Sequence, residues 1–205
     1  MTIGILNYGL GNIRSLINAI HYGTGLRPKL IDNADDVYDC SVLFLPGVGT
    51  FETGMRKLKA RSFDIALQNF NEDGRRIVGI CLGMQLLFKQ STESSVKVEG
   101  LNLVSGAVRR LAKSHNQFER IPSMGWYRTK IQTDTVFYEF NGENFYYVHS
   151  YHCIPSDARS VIGNYDRHSE EVVSIVQQRN VYGFQFHPEK SGEIGIQLLK
   201  RVCNE

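Results

Sequence analysis

The sequence predicts a three-layer α/β domain with a mainly parallel central sheet and an added antiparallel portion. Three observations carry that expectation. Apolar runs at 2–6, 41–45 and 76–80 have the length of buried strands, and each leads into a stretch with helical spacing. That alternation implies a parallel sheet covered on both faces. The second half then turns β-rich, with runs at 96–111, 126–138, 145–153 and 160–164. The 205 residues suit one domain spanning 1–205 and are short for two, and no repeat, biased segment or linker divides them.

In chain order, TIGIL (2–6) reads as a strand ending at the turn NYGLGN, after which Ile13, Leu16, Ile17 and Ile20 follow helical spacing. SVLFL (41–45) is a second strand, closed by Pro46 and the loop GVG. A helical region continues to Phe70 with a break near residues 61–64. RIVGI (76–80) is a third strand, and Met84, Leu87 and Phe88 mark the core face of the helix expected after it. EVVSIVQQRNVYGFQFHPE (171–189) reads as a hairpin with its turn near Arg179–Asn180. A closing helix runs from about Gly192 to Val202, with Ile194, Leu198 and Val202 on one face.

Composition excludes several classes. Hydrophobic content of 42% with 21% charged residues is that of an ordinary globular protein rather than a disordered one. A net charge of +2, with basic pairs scattered at Arg75–Arg76, Arg109–Arg110 and Lys200–Arg201, gives no drive toward nucleic acid or acidic membranes. The start MTIGILNYG lacks the pattern of a signal peptide. Cys40, Cys81, Cys153 and Cys203 are widely spaced, which argues against a zinc site or disulfide framework and fits a reduced cytoplasmic protein. No metal and no cofactor are expected.

Cys81 stands apart because of its neighbours. A buried strand, then Gly79-Ile80-Cys81-Leu82-Gly83, then an apolar helical stretch, is the thiol form of a nucleophile elbow. The glycines relieve clashes at a tight strand-to-helix turn, and a helix N-terminus favours thiolate. The N–H of Leu82 would point where an oxyanion forms. As a pattern alone, G-x-C-x-G is weak, and a buried structural cysteine fits it as well.

A thiol acting on an amide also needs a base that later protonates the leaving amine. Of six histidines, His21, His115 and His168 sit in helical or polar loop contexts and read as surface residues. His149 and His152, at the end of FYYVHSYHC, are placed to line a pocket. His187 ends YGFQF and is followed by Pro188 and Glu189, whose carboxylate can bond the distal ring nitrogen and fix the tautomer.

CLGMQLLF, YGFQFHPEKSG and LPGVGTF together resemble the class I, triad-type glutamine amidotransferases, over the whole chain. That resemblance implies a flavodoxin-like three-layer fold. It implies Cys81 as nucleophile, His187 as proton shuttle and Glu189 as its orienting carboxylate. Gly47, Val48 and Gly49 would supply a second oxyanion donor beside Leu82. Gln85 and Glu93 match residues that hold the α-amino and α-carboxylate ends of L-glutamine, and Ser150 and Tyr151 match the backbone wall of that pocket.

Within the class, PGVG, Met124-Gly125-Trp126 and YYVHSY are similar to the subfamily of glutaminase subunits that feed ammonia to the (β/α)8 cyclase of imidazole glycerol phosphate synthase, in histidine biosynthesis. The resemblance implies a heterodimer, with Asn12, Trp126, Tyr146 and Lys190 near the interface and ammonia exit. Ser123 and Tyr127 depart from the histidine and asparagine that usually flank the MGW segment. That departure leaves a second reading open, in which the same chemistry serves a sugar-modifying synthase of surface-polysaccharide biosynthesis. A non-catalytic scaffolding subunit is the reading from a different class, and an intact Cys81, His187 and Glu189 argue against it.

Overall fold

Four apolar residues with every side chain buried make β1 (Ile3–Leu6), and the loop after it leads into α1 (Ile13–Thr24). Gly25, in the left-handed region at φ 74°, ends that helix by returning its N–H to the His21 carbonyl. The computed structural model describes residues 1–113, 120–167 and 170–205. His115 and His168 lie outside the described residues. The chain continues through β2 (Lys29–Ile31), β3 (Val42–Gly47), α2 (Phe51–Lys59), α3 (Phe63–Glu72) and β4 (Arg76–Cys81). Then come α4 (Leu82–Leu86), β5 (Phe88–Ser91), β6 (Val104–Arg110), β7 (Ser123–Ile131), β8 (Asn144–His149) and β9 (Tyr151–Pro155). The last elements are β10 (Val161–Arg167), β11 (Glu170–Gln178), β12 (Val181–Phe184) and α5 (Gly192–Asn204).

Among the described residues the main sheet has nine strands, in the order β2-β1-β3-β4-β12-β11-β10-β7-β8. Its pairings are parallel from β2 to β12 and antiparallel from β12 to β8. A second sheet, β5-β6-β9, has three strands. In the parallel half both faces are covered, and β3 shows how. Val42 and Phe44 pack with β1, α1 and α5 residues on one face, and Leu43 and Leu45 with α2 and α3 residues on the other. The hairpin turn expected at Arg179–Asn180 is present between β11 and β12, and helices α2 and α3 are separated by residues 60–62 as the break predicts.

Three expectations change. β3 does not close at Pro46 but runs on to Gly47, with Pro46 opposite Ile80 and Gly47 opposite Cys81. The β1 register ends at Phe44, so the missing proline N–H falls at the margin of the sheet. The helix after Cys81 is five residues long, entirely buried, and Phe88 starts a strand instead of completing an amphipathic face. The reason lies downstream: the carbonyls of Leu86, Leu87 and Lys89 accept from the N–H groups of Leu101, Leu103 and Gly100, at 2.9, 2.8 and 2.8 Å. Once taken by a neighbouring segment, they are unavailable to a longer helix. Finally, the run 145–153 is two strands in different sheets, with the chain crossing between them at Ser150.

Candidate active site

β3 and β4 point their carboxyl ends to one edge of the sheet, where open α/β folds bind ligands. Cys81 is the last residue of β4 and has a positive φ, with φ 54° and ψ −111°, which is uncommon for a residue with a side chain. The flanking glycines are required by contact. A Cβ on Gly79 would stand 2.7 Å from the Met84 nitrogen, and one on Gly83 would collide with the Leu45 carbonyl. Cys81 is buried but opens onto a cavity of about 390 Å³ that Val48, Gly49, Gln85, Glu93 and His187 also line.

His187 reaches the same cavity from the other end of the chain. It follows β12, and its N–H donates to the Tyr146 carbonyl at 2.9 Å. Ser191 donates its hydroxyl to the His187 carbonyl at 2.7 Å and accepts the Tyr146 N–H at 3.0 Å, fixing the turn that carries Glu189. The ring Nδ1 lies 2.9 Å from Glu189 Oε1, both side chains being almost fully buried. Nε2 has no hydrogen-bond partner among the described residues. Burial opposes a charge on this imidazole, but the Cys81 sulfur and the Glu189 carboxylate outweigh it and push its pKa up to about 10. With α4 only five residues long, a helix dipole gives the sulfur little. The imidazole is the group that electrostatically complements it.

His149 lines the cavity too, with a different outcome. Nδ1 lies 2.9 Å from the Tyr151 carbonyl and Nε2 lies 2.8 Å from the Tyr165 hydroxyl. A carbonyl only accepts, so Nδ1 carries the proton and Nε2 accepts from tyrosine. Burial drives the pKa of this ring down to about 3, leaving it neutral with both nitrogens engaged. His152, expected near the pocket, is buried on β9 and does not line the cavity, because successive residues of a strand face opposite sides. His21 is exposed on α1.

The remaining predicted residues fall into two groups. Gln85, Glu93, Ser150 and Tyr151 all line the cavity, with Leu82, Val48 and Gly49. Gln85 Nε2 donates to the Tyr151 carbonyl at 2.9 Å and to Gln185 Oε1 at 3.2 Å. Gly47 faces Cys81 across the β3–β4 ladder. Its lack of a side chain serves packing, since a Cβ there would meet the Tyr8 hydroxyl at 2.6 Å. Gly49, at φ 106° with open space around it, is the conformationally permissive one. Outside the cavity, Trp126 stands edge-on to Tyr146 at 6.0 Å and Lys190 lies over the Tyr146 ring at 5.7 Å, forming one surface cluster. Asn12 precedes α1, which packs on the turn holding Lys190.

A family model for class I glutamine amidotransferases matches residues 8–203. The chain belongs to the class I glutamine amidotransferases. This amidotransferase is 39% identical over 202 residues to the imidazole glycerol phosphate synthase subunit HisH of Prochlorococcus marinus, covering 97% of this chain and 96% of that one. It is 36% identical to the chloroplastic imidazole glycerol phosphate synthase hisHF of Arabidopsis thaliana, covering 98% of this chain and 34% of that protein. Its fold matches a chain of PurLQS from Thermotoga maritima with a TM-score of 0.73 at 21% identity, covering 99% and 97% of the two chains.

Three residues of the amidotransferase site escape the sequence reading. Gln185 is wholly buried, accepts from Gln85 and directs Nε2 at the Cys81 sulfur, 4.0 Å away. A polar residue inside the apolar run YGFQF, two before His187, is the signal that could have found it. Tyr8 and Tyr165 are buried hydroxyls bonded to Pro46 and His149, and nothing local distinguishes them from core aromatics.

Proposed function

We propose that this amidotransferase is the glutaminase subunit of an imidazole glycerol phosphate synthase, hydrolysing L-glutamine and passing ammonia to a (β/α)8 cyclase partner. The observation that carries the chemistry is His187, held by Glu189 through Nδ1, with Nε2 unpartnered among the described residues, at the cavity that Cys81 opens onto. His187 takes the proton of the Cys81 thiol as the sulfur attacks, and Glu189 favours the charged ring that results. The sulfur attacks the side-chain amide carbon, and the negative charge develops on the amide oxygen. Backbone N–H groups of Leu82 and the Gly47-Val48-Gly49 segment stabilise it. His187 then protonates the leaving nitrogen, the C–N bond breaks, and ammonia departs from a γ-glutamyl thioester. Neutral His187 next deprotonates a water that attacks the thioester, and the C–S bond breaks to release glutamate and return the sulfur and the proton to Cys81 and His187. Glu189 orients His187 throughout and stabilises its charged form.

Glu93 offers a carboxylate to the α-ammonium group of glutamine. Gln85, Ser150 and Tyr151 present amide and backbone groups to its other end. The Trp126–Tyr146–Lys190 cluster is the partner face, because the Tyr146 backbone is bonded directly to His187 and Ser191. A cyclase docked there sits one residue from the base. The names of the Prochlorococcus and Arabidopsis relatives support the histidine pathway over a sugar-modifying synthase. Four buried free thiols support a reducing, cytoplasmic setting.

The proposal is tested by steady-state glutamate release from the chain alone, with the cyclase, and with the cyclase carrying its own ligand. Gly49 leaves the Val48–Gly49 peptide free to change direction, so the isolated chain is expected to turn over slowly and the liganded complex about 10²-fold faster. Cys81→Ser should abolish release while complex formation persists. Wild-type-like turnover by Cys81→Ser would remove the thiol from the mechanism, and equal rates in all three states would exclude gating.

A further inference from the structure

The Gly47–Thr50 segment is fastened at both ends by side chains that reach it from elsewhere. At its start, the buried Tyr8 hydroxyl donates to the Pro46 carbonyl at 2.7 Å. At its end, the Phe51 N–H donates to Glu93 Oε2 at 2.6 Å, a short, charge-assisted contact at the first turn of α2. The stretch that supplies Glu93 is itself anchored. The Thr92 N–H donates to the Val108 carbonyl at 3.0 Å, and Ser94 donates its hydroxyl to Glu52 Oε2 at 2.9 Å. Between the two fastenings, Val48 is 43% exposed, and a Cβ on Gly49 would touch nothing within 4 Å. The segment is therefore open at Val48 and Gly49, and held before them by Tyr8 and the β3–β4 ladder and after them by the bonds of Thr50 and Phe51 at the start of α2.

We propose that Glu93 is a bridging residue that ties glutamine binding to the geometry of the oxyanion segment. One carboxylate oxygen holds the Phe51 N–H, and so sets the direction of the Thr50–Phe51 peptide. Glu93 also lines the cavity, and its other oxygen is assigned to the cationic end of the substrate. This rests on the glutaminase reading given above. Under it, a single side chain contributes twice: to KM through the ammonium group, and to kcat through the donors of the Gly47–Gly49 backbone. The Phe51 ring, buried against Gly100, fixes where α2 begins, while the carboxylate fixes which way its first N–H points.

A substrate without an ammonium group separates the two contributions. Glutaramate, the glutamine analogue lacking the α-amino group, cannot pair with Glu93, so only the positioning role affects its hydrolysis. With the cyclase complex, Glu93→Ala is expected to lower kcat for glutaramate at least tenfold. Glu93→Gln, whose amide oxygen still accepts from the Phe51 N–H, is expected to recover most of that loss while KM for L-glutamine stays raised. Exchange of the Phe51 amide with deuterium should be faster in Glu93→Ala than in the wild type and slow again in Glu93→Gln. Should Glu93→Ala not fold, Glu93→Asp, too short by one methylene to reach both groups, carries the same contrast. Wild-type kcat on glutaramate in Glu93→Ala, or in its Asp substitute, would overturn the inference and leave Glu93 an ammonium-binding group only. Equal losses in that variant and Glu93→Gln would overturn it as well. No activity of the wild-type complex on L-glutamine would instead refute the glutaminase reading itself.

Discussion

The β8–β9 crossing and the turn after β12 each place a nearly buried histidine on one cavity, and the two rings titrate in opposite directions. His149 is 5% exposed with a pKa driven to about 3, and His187 is 1% exposed with a pKa raised to about 10. Burial alone pushes both down. What separates them is the company of the ring nitrogens. His149 has a carbonyl and a tyrosine hydroxyl, neither of which repays the desolvation of a cation. His187 has a carboxylate at one nitrogen and a sulfur across the cavity. Partner charge, not depth, makes one histidine a base and the other a fixed part of the wall.

The largest test of that contrast is removal of each ring. His187→Ala is expected to lower kcat for glutamine by about 10²–10⁴, the usual worth of a positioned acid–base group. His149→Ala should cost about tenfold or less, because it loosens the Tyr151 carbonyl that Gln85 also holds without deleting a proton carrier. Steady-state rates decide it, and the reverse ranking would exchange the two roles.

Replacing the carboxylate sharpens the comparison with a smaller effect. Glu189→Gln keeps an acceptor for Nδ1 but removes the charge, so turnover should fall less than in His187→Ala. The pKa of His187 should drop toward its ordinary value of 6.5. A pH–rate profile should show the alkaline limit moving down, and an unmoved limit would mean Glu189 does not charge the base.

The smallest effect is on stability, and its sign differs between the rings. His187, raised from 6.5 to about 10, contributes stability that is full below 6.5 and is lost as the pH rises through about 10. His149 stays neutral in the fold, so its unfolded form gains protons first and stability is lost as the pH falls from 6.5 towards 3. His149→Gln should therefore show a smaller drop in Tm than the wild type between pH 7 and pH 4. Equal drops would place the acid sensitivity elsewhere.

Sequence alone determined the three buried strands β1, β3 and β4, the elbow and the pairing of His187 with Glu189, while β2 and the place of β12 beside β4 were not legible in it. Each legible feature depends on neighbours within a few residues: continuous apolar runs make β1, β3 and β4, and Gly79 and Gly83 allow the strained Cys81. His187 and Glu189 are two residues apart, so one turn brings ring and carboxylate together. Tertiary structure decided the rest. The short α4 depends on carbonyls recruited by Gly100–Leu103, and the split at Ser150 depends on which sheet each half joins. The opposite charges of His149 and His187, and the hold of Tyr8 and Glu93 on the Gly47–Thr50 segment, join groups tens of residues apart. Such contacts leave no periodicity or spacing in the chain, because the energy of a buried polar group is set by whatever atom folding brings within three ångströms of it.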